Sequence, residues 1–134
     1  MKAFFDTNIL IYTVSQDHRK QKASDILQSG GVISAQVLNE FTHTTRKKLG
    51  CDWSTIELAL SGFREIFDDI RPLTAETHAV ALALARDHAF SFYDALIIAS
   101  ALEAGCDTLF TEDMQNGRKI KTLTIRNPFL NSTE

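Results

Sequence analysis

Four acidic residues of this sequence, Asp6, Glu40, Asp94 and Asp113, stand where they could together hold a divalent cation. Asp6 directly follows a short apolar run and begins the tripeptide Asp-Thr-Asn, which places three oxygen-bearing side chains at one point of the chain. Such oxygen atoms are the ligands that hard cations like Mg²⁺ prefer. Each acid also has an ordinary explanation, because acids cap helices and form turns. The case for a site therefore depends on their shared placement.

The other three acids each adjoin a predicted element. Glu40 lies in a predicted helix over residues 35–49, at the edge of a buried stripe that includes Phe41. Asp94 opens an almost wholly apolar helix over residues 93–104, and Asp113 follows a predicted strand over residues 108–110. Each acid thus follows a strand or lies near the start of a helix, so all four are expected at one rim.

Acids crowded at one rim imply a cation. Like charges a few ångströms apart repel by about 1–4 kcal/mol per pair, and a divalent ion removes this penalty. Carboxylate-bound metal suits phosphodiester hydrolysis, because it lowers the pKa of a bound water and stabilises charge on the phosphate oxygens. The sequence shows no Ser–His–Asp or Cys–His arrangement and no glycine-rich phosphate loop that would indicate another chemistry.

The elements around these acids alternate between strand and helix. Short apolar strands are predicted at residues 3–5, 32–33, 108–110 and 123–125, with a brief extended piece at 70–73 and a loop over 111–119. Helices are predicted between them, including one that Ser54 caps and that ends near Phe67. This order favours an α/β sandwich with a parallel sheet, whose sites form at the carboxyl ends of the strands where strand order reverses.

Length and composition limit the number of domains and the class of protein. A chain of 134 residues with 44% apolar and 23% charged residues is expected to form one domain over residues 1–134. The longest apolar run, residues 95–102, is too short for a membrane span, and the N-terminus lacks a signal-peptide pattern. Cys51 and Cys106 are expected to be reduced thiols of a cytoplasmic protein.

The net charge of −3 constrains any nucleic-acid partner. A protein that holds phosphates by charge alone should be basic, so this chain needs either bound cations or clustered basic residues. Two clusters qualify, although charge runs are usually only solvated surface. They are Arg46-Lys47-Lys48 and the later set of Arg118, Lys119, Lys121 and Arg126.

Four segments together resemble the PIN-domain family, and within it the VapC-type toxins of VapBC toxin–antitoxin pairs. The resemblance runs from the first strand to Asn127-Pro128-Phe129, and the extended motif of residues 111–117 points to the toxins. The segments are Phe4-Phe5-Asp6-Thr7-Asn8-Ile9-Leu10, Ser34 with Glu40-Phe41, residues 92–101 around Asp94, and Leu109-Phe110-Thr111-Glu112-Asp113-Met114.

The resemblance implies a three-layer α/β/α sandwich that cuts RNA with Mg²⁺ or Mn²⁺. It also implies a homodimer held inactive by a cognate antitoxin whose C-terminal segment blocks the acidic site. Carried over by position, Asp6, Glu40, Asp94 and Asp113 match the metal-binding acids. Asn8 and Thr111 match supporting polar positions, and Glu112 leaves open whether one or both of the adjacent acids reach the metal.

Three alternatives remain. A haloacid-dehalogenase-like phosphatase also opens with an aspartate after a strand, but it needs a general acid at the position of Asn8, which cannot supply a proton. A receiver-like phospho-acceptor needs an acidic residue where Ser34 ends the second strand. The third is a non-toxin PIN nuclease, or a PIN-type module that binds RNA without cutting it.

Overall fold

The computed structural model describes residues 1–130. Strands and helices alternate along the chain, as the sequence predicts. The strands are β1 (Ala3–Phe5), β2 (Val32–Ser34), β3 (Asp69–Arg71), β4 (Thr108–Phe110), β5 (Lys119–Ile120) and β6 (Leu123–Arg126). The helices are α1 (Thr7–Thr13), α2 (Lys20–Leu27), α3 (Ala35–Lys47), α4 (Trp53–Ile66), α5 (Ala75–His88) and α6 (Phe92–Glu103).

The strands form one sheet in the order β3-β2-β1-β4-β6-β5, parallel except for the β5–β6 pair. Right-handed crossovers place the helices that connect β1, β2 and β3 on one face and those that connect β3 to β4 on the other. Accordingly α1 packs on α2 and α3, while α5 packs on α6. The predicted three-layer α/β/α sandwich is confirmed, and its strand order reverses between β1 and β4.

The two central strands and α6 form the middle of the core. All three residues of β1 are buried, and the residues of α6 from Ala95 to Ala101 are buried on every side. This explains why the sequence of α6 is apolar nearly all round. Gly31, just before β2, passes so close to β1 that a Cβ atom there would lie 2.6 Å from the carbonyl oxygen of Ala3.

Two local expectations need correction. Helix α4 begins at Trp53 and is capped by Asp52 rather than Ser54, because the Asp52 carboxylate accepts the Thr55 N–H at 2.9 Å. The predicted loop over 111–119 ends in the missed strand β5, which pairs antiparallel with β6. A two-residue strand offers too little alternation to be recognised in a sequence.

Two further features concern membrane-spanning helices and the cysteines. Across residues 1–130 no helix combines the length and the apolar character needed to cross a bilayer. Cys51 and Cys106 are both free cysteines, the first partly exposed and the second buried.

Candidate metal centre at the strand ends

Asp6 lies where β1 ends and α1 begins, and it caps that helix. Its Oδ1 accepts the Thr7 N–H at 2.7 Å, and its Oδ2 accepts the Thr111 hydroxyl at 2.8 Å. The side chain is only 5% exposed. Burial raises the pKa of Asp6 to about 7, the two hydrogen bonds offset part of this rise, and the charges of Glu40 and Asp113 add to it. The helix-capping role and a cation-binding role are therefore compatible.

Glu40 lies in the second turn of α3, the helix that follows β2. Ser34 ends β2 and caps α3 by accepting the Val37 N–H at 3.4 Å. The Glu40 carboxylate accepts the Thr7 hydroxyl at 2.6 Å and the Gln36 amide at 3.1 Å. Because Thr7 also donates its backbone N–H to Asp6, one residue at the start of α1 connects the two acids.

Asp94 lies in the first turn of α6 but does not cap it. Ser91 caps the helix by accepting the Asp94 N–H at 3.2 Å. Burial raises the pKa of Asp94, a hydrogen bond with Ser91 offsets part of this rise, and the charges of Asp113 and Glu40 add to it. Asp94 is therefore electrostatically coupled to the acids contributed by α3 and by the segment after β4.

Asp113 is tied to the site through Asn8 and Thr111. The Asn8 amide donates to Asp113 Oδ2 at 3.0 Å, and the Asp113 N–H donates to the Thr111 hydroxyl at 3.1 Å. The Asn8 amide also reaches the Thr111 hydroxyl at 3.3 Å. Asn8 and Thr111 thus join the start of α1 to the segment after β4.

Glu112 faces a different set of partners from Asp113. Both of its carboxylate oxygens accept hydrogen bonds from Arg19, at 2.9 and 2.6 Å, and Tyr12 also donates to it. Its backbone N–H donates to Asn8 Oδ1 at 3.2 Å. The carboxylate that couples to Asp6 and Asp94 is that of Asp113, whereas Glu112 fastens the loop to α1 and the turn before α2.

An open cleft of about 640 Å³ adjoins these acids. Its lining includes Asn8, Glu40, His43, Tyr93 and Asp113. The structure therefore brings together residues from four elements that are up to 107 positions apart in the sequence (Asp6 to Asp113). They meet where the strand order reverses, the place at which parallel α/β sheets form ligand sites.

The donors suit a hard cation in their chemistry, since every acid in the group offers carboxylate oxygen. Burial of Asp6 beside like charges costs free energy that a bound cation would recover. Within residues 1–130, however, no three or more Asp, Glu, His or Cys side chains are arranged to hold one ion as they stand. Oxygens of Glu40 and Asp113 are instead engaged by Thr7, Gln36 and Asn8.

Two contributors to the site are not singled out by the sequence motifs: Gln36 and Arg19. The i, i+4 spacing of Gln36 and Glu40 on one helix was an available signal. The Arg19–Glu112 pair spans 93 positions, and nothing local in the sequence indicates it.

The family of the chain follows from a sequence match that covers most of it. The PIN domain profile matches residues 3–118, a range that contains all four acids. The chain belongs to the PIN domain family, and the resemblance noted in the sequence is confirmed. Neither the phosphatase nor the receiver alternative receives support from this match. No curated protein sequence matches the chain.

Solved structures with the same fold include proteins of toxin–antitoxin systems. A toxin–antitoxin complex from Klebsiella pneumoniae matches with a TM-score of 0.74 at 21% identity, over 96% of this chain and 98% of that chain. The sarcin–ricin loop cleaving toxin VapC20 of Mycobacterium tuberculosis matches with a TM-score of 0.66 at 21% identity, over 81% and 87% of the two chains. VapBC2 of Rickettsia felis, bound to a promoter DNA fragment, gives 0.69 at 20%, over 95% and 98%. These matches establish a shared fold.

Proposed function

We propose that this chain is a Mg²⁺- or Mn²⁺-dependent endoribonuclease and the toxin component of a type II toxin–antitoxin pair. The observation that carries the proposal is the convergence of Asp6, Glu40, Asp94 and Asp113 at the switch point of a PIN-domain sheet, beside an open cleft. RNA is the proposed substrate, and a cytoplasmic location is part of the same proposal.

The four acids are the proposed metal ligands. A bound divalent cation supplies two effects, a lowered pKa of water and stabilisation of charge on the phosphate oxygens. Asp6 is the best held of the four, because Thr7 and Thr111 fix both of its oxygens. Glu40 and Asp113 would exchange hydrogen bonds with Gln36 and Asn8 for metal contacts, so they adjust while Asp6 stays in place.

The remaining polar residues of the site orient the acids and maintain the shape of the cleft. Asn8 holds Asp113 with its amide and the Glu112 backbone with its carbonyl oxygen, so it aligns the loop after β4 with α1. Thr111 is fully buried and contacts Asp6, Asn8 and the Asp113 backbone. Such outer contacts commonly change metal affinity or activity by about 10–100-fold when removed.

The toxin role and its partners rest on likeness to the solved structures. The Klebsiella structure is a toxin–antitoxin complex, and the Rickettsia structure is a VapBC pair on DNA. By analogy, a cognate antitoxin would bind this chain and cover the acidic cleft, and the chain would form a homodimer. The RNA-cleaving activity has its own precedent in the sarcin–ricin loop cleaving toxin.

The test compares wild-type protein with Asp6→Asn on total RNA in EDTA, Mg²⁺ and Mn²⁺. We expect cleavage only in the metal-containing reactions and only by the wild type, with a loss on the order of 10³-fold or more in the variant, since several kcal/mol of charge stabilisation disappear. Asp25→Asn, an exposed acid on α2, is the matched control and should cleave like the wild type. Cleavage that survives both EDTA and Asp6→Asn would falsify the metal-acid mechanism.

Induced expression in a bacterial host extends the same comparison to the toxin role. Wild-type chain should arrest growth, and Asp6→Asn should not. Normal growth with abundant, active wild-type nuclease would instead identify a PIN nuclease without a toxin role.

A further inference from the structure

A second groove, of about 440 Å³, lies beside the acidic cleft along α3. It is lined by Asn39, Thr42, His43, Arg46, Lys47 and Trp53. Asn39 and His43 line both the groove and the cleft, so the two are continuous. From Glu40 to Lys47 the helix advances seven residues, or about 10 Å, which places the groove within reach of a chain that crosses the acidic site.

Trp53 is the unusual member of this groove, because its large apolar side chain is 56% exposed. The guanidinium carbon of Arg46 lies 4.6 Å from the centre of the ring, and an Arg46 N–H also donates to the Cys51 carbonyl at 3.1 Å. Arg46 is thereby held from two sides against the indole. An indole that carries a guanidinium over its ring and is more than half exposed offers a stacking surface.

The charge of the groove differs from that of the adjacent cleft. Its six lining side chains are neutral or basic, and the last turn of α3 contributes Arg46 and Lys47. The chain as a whole carries a net charge of −3. A basic groove that begins at the acidic cleft is therefore a local exception, and its charge is complementary to a phosphate backbone.

Aromatic rings and basic residues in one groove are the combination with which proteins hold single-stranded nucleic acid. Bases stack on the ring or on a guanidinium plane, while basic side chains follow the backbone. We infer that this groove is a base-stacking subsite, in which Trp53 receives a base near the cleaved bond and Lys47 contacts the adjoining phosphate. The inference rests on the proposed ribonuclease function, since it assigns the groove to the same RNA strand.

Trp53 is the only tryptophan in the chain, so its fluorescence reports directly on the groove. We would titrate Asp6→Asn protein with a single-stranded decaribonucleotide in Mg²⁺, because this variant leaves the RNA intact. Stacking should quench the tryptophan emission, and an oligomer with abasic positions should quench it less. The affinities of Trp53→Ala and Trp53→Phe, in the same background, would be measured with fluorescently labelled RNA.

Trp53→Ala should bind RNA about 5- to 150-fold more weakly, the range for loss of one stacked base. In the otherwise wild-type enzyme it should raise KM and leave kcat nearly unchanged, and Trp53→Phe should restore part of the loss. Leu58→Ala, which removes another exposed apolar side chain of α4, is the matched control and should bind normally. If Trp53→Ala unfolds, Trp53→Leu replaces it, because leucine keeps apolar bulk without an aromatic face.

The outcomes separate this subsite from the proposed function. Unquenched tryptophan with normal cleavage by Trp53→Ala overturns the subsite and leaves the nuclease standing. Quenching by RNA in a protein that never cleaves supports the subsite and overturns the nuclease. Quenching by a co-purified protein partner but not by RNA overturns the subsite, and assigns the groove to protein recognition.

Discussion

Glu112 and Asp113 are neighbours in the chain but have opposite electrostatic surroundings. Glu112 belongs to a compensated network in which Arg19 pairs with both Glu112 and Asp17, at 2.6 and 2.7 Å. In that network, hydrogen bonds from Arg19 hold the pKa of Asp17 well below its usual range. Asp113 instead lies among acids, and its charge raises the pKa of Asp6 and of Asp94.

The comparison shows two different roles for carboxylate side chains in this protein. In the Arg19 network each carboxylate has a cation, and Arg19 also lies 4.2 Å from the centre of the Tyr12 ring, so the network fastens α1, the turn before α2 and the loop after β4. In the acid group the carboxylates accept hydrogen bonds from the neutral donors of Thr7, Asn8 and Thr111. The first region stabilises the fold. In the second region, repulsion between carboxylates raises the free energy of the folded state, and a bound cation can remove this repulsion.

Among the variants that distinguish the two regions, Asp6→Asn should give the largest effect, which is on the free energy of unfolding of the metal-free protein. Unfolded Asp6 ionises near the ordinary aspartate pKa of 3.8, whereas folded Asp6 holds its proton until about pH 7. Wild-type stability is therefore progressively lost as pH rises from about 4 to 7, relative to the variant. At pH 8 in EDTA, Asp6→Asn should be more stable by about 1–3 kcal/mol, since altered hydrogen bonds with Thr111 offset part of the gain.

Denaturant unfolding at pH 4 and pH 8 measures this difference. The stability gain should vanish at pH 4, and added Mg²⁺ should stabilise the wild type but not the variant. Asp25→Asn supplies the baseline for loss of an exposed negative charge. A variant with the stability of the wild type at both pH values would show that Asp6 carries no electrostatic cost and acts only as a helix cap, a role that asparagine also fills.

Arg19→Met should give the next largest effect, because it removes the cation of the compensated network. Glu112 would be left uncompensated beside Asp113, and the loop after β4 would lose its tie to the turn before α2. We expect kcat to fall about 10-fold, as for other residues that position metal ligands, together with a lower melting temperature. Steady-state cleavage kinetics and thermal unfolding would measure both.

The double variant Arg19→Met/Glu112→Gln tests whether the cause is uncompensated charge. Removal of both partners should recover part of the lost activity, because no unpaired carboxylate remains at position 112 next to the acids. Arg86→Met, which breaks an exposed pair with Asp87, is the matched control and should be nearly silent. Additive losses in the double variant would argue against a positioning role for the pair.

Much of the fold was predictable because its signals are local. The apolar run of β1, the wholly apolar α6 and the capping residues Ser34 and Thr74 each indicate their element within a few residues. The start of α4 was misplaced because Asp52 and Ser54 are both good caps, and only the contact with the Thr55 N–H distinguishes them.

The site was predictable as a set of acids but not as a network. Parallel strands end at one edge, so the placement of Asp6 and Asp113 after strands was enough to expect their convergence. The different partners of Glu112 and Asp113 were not foreseeable, because Arg19 reaches Glu112 through the tertiary fold alone. The contact between Arg46 and Trp53 was not foreseeable either, because it also depends on the tertiary fold.

The smallest predicted effect concerns RNA binding by the basic residues at the end of α3. It extends the comparison from the two acidic regions to the clusters of basic side chains. Lys47→Ala/Lys48→Ala should weaken RNA binding several-fold and reduce the slope of log K against log salt by about 1–2, since up to two phosphate contacts are lost. Lys119→Ala/Lys121→Ala removes two positive charges from the other basic cluster and is the matched comparison. That cluster lies apart from the groove, and its Arg118 is engaged by Phe90 and the His88 carbonyl. A salt slope unchanged from the wild type in both double variants would show that neither α3 nor the other cluster guides the RNA, and that the acid group depends on its bound cations alone to accept a phosphate backbone.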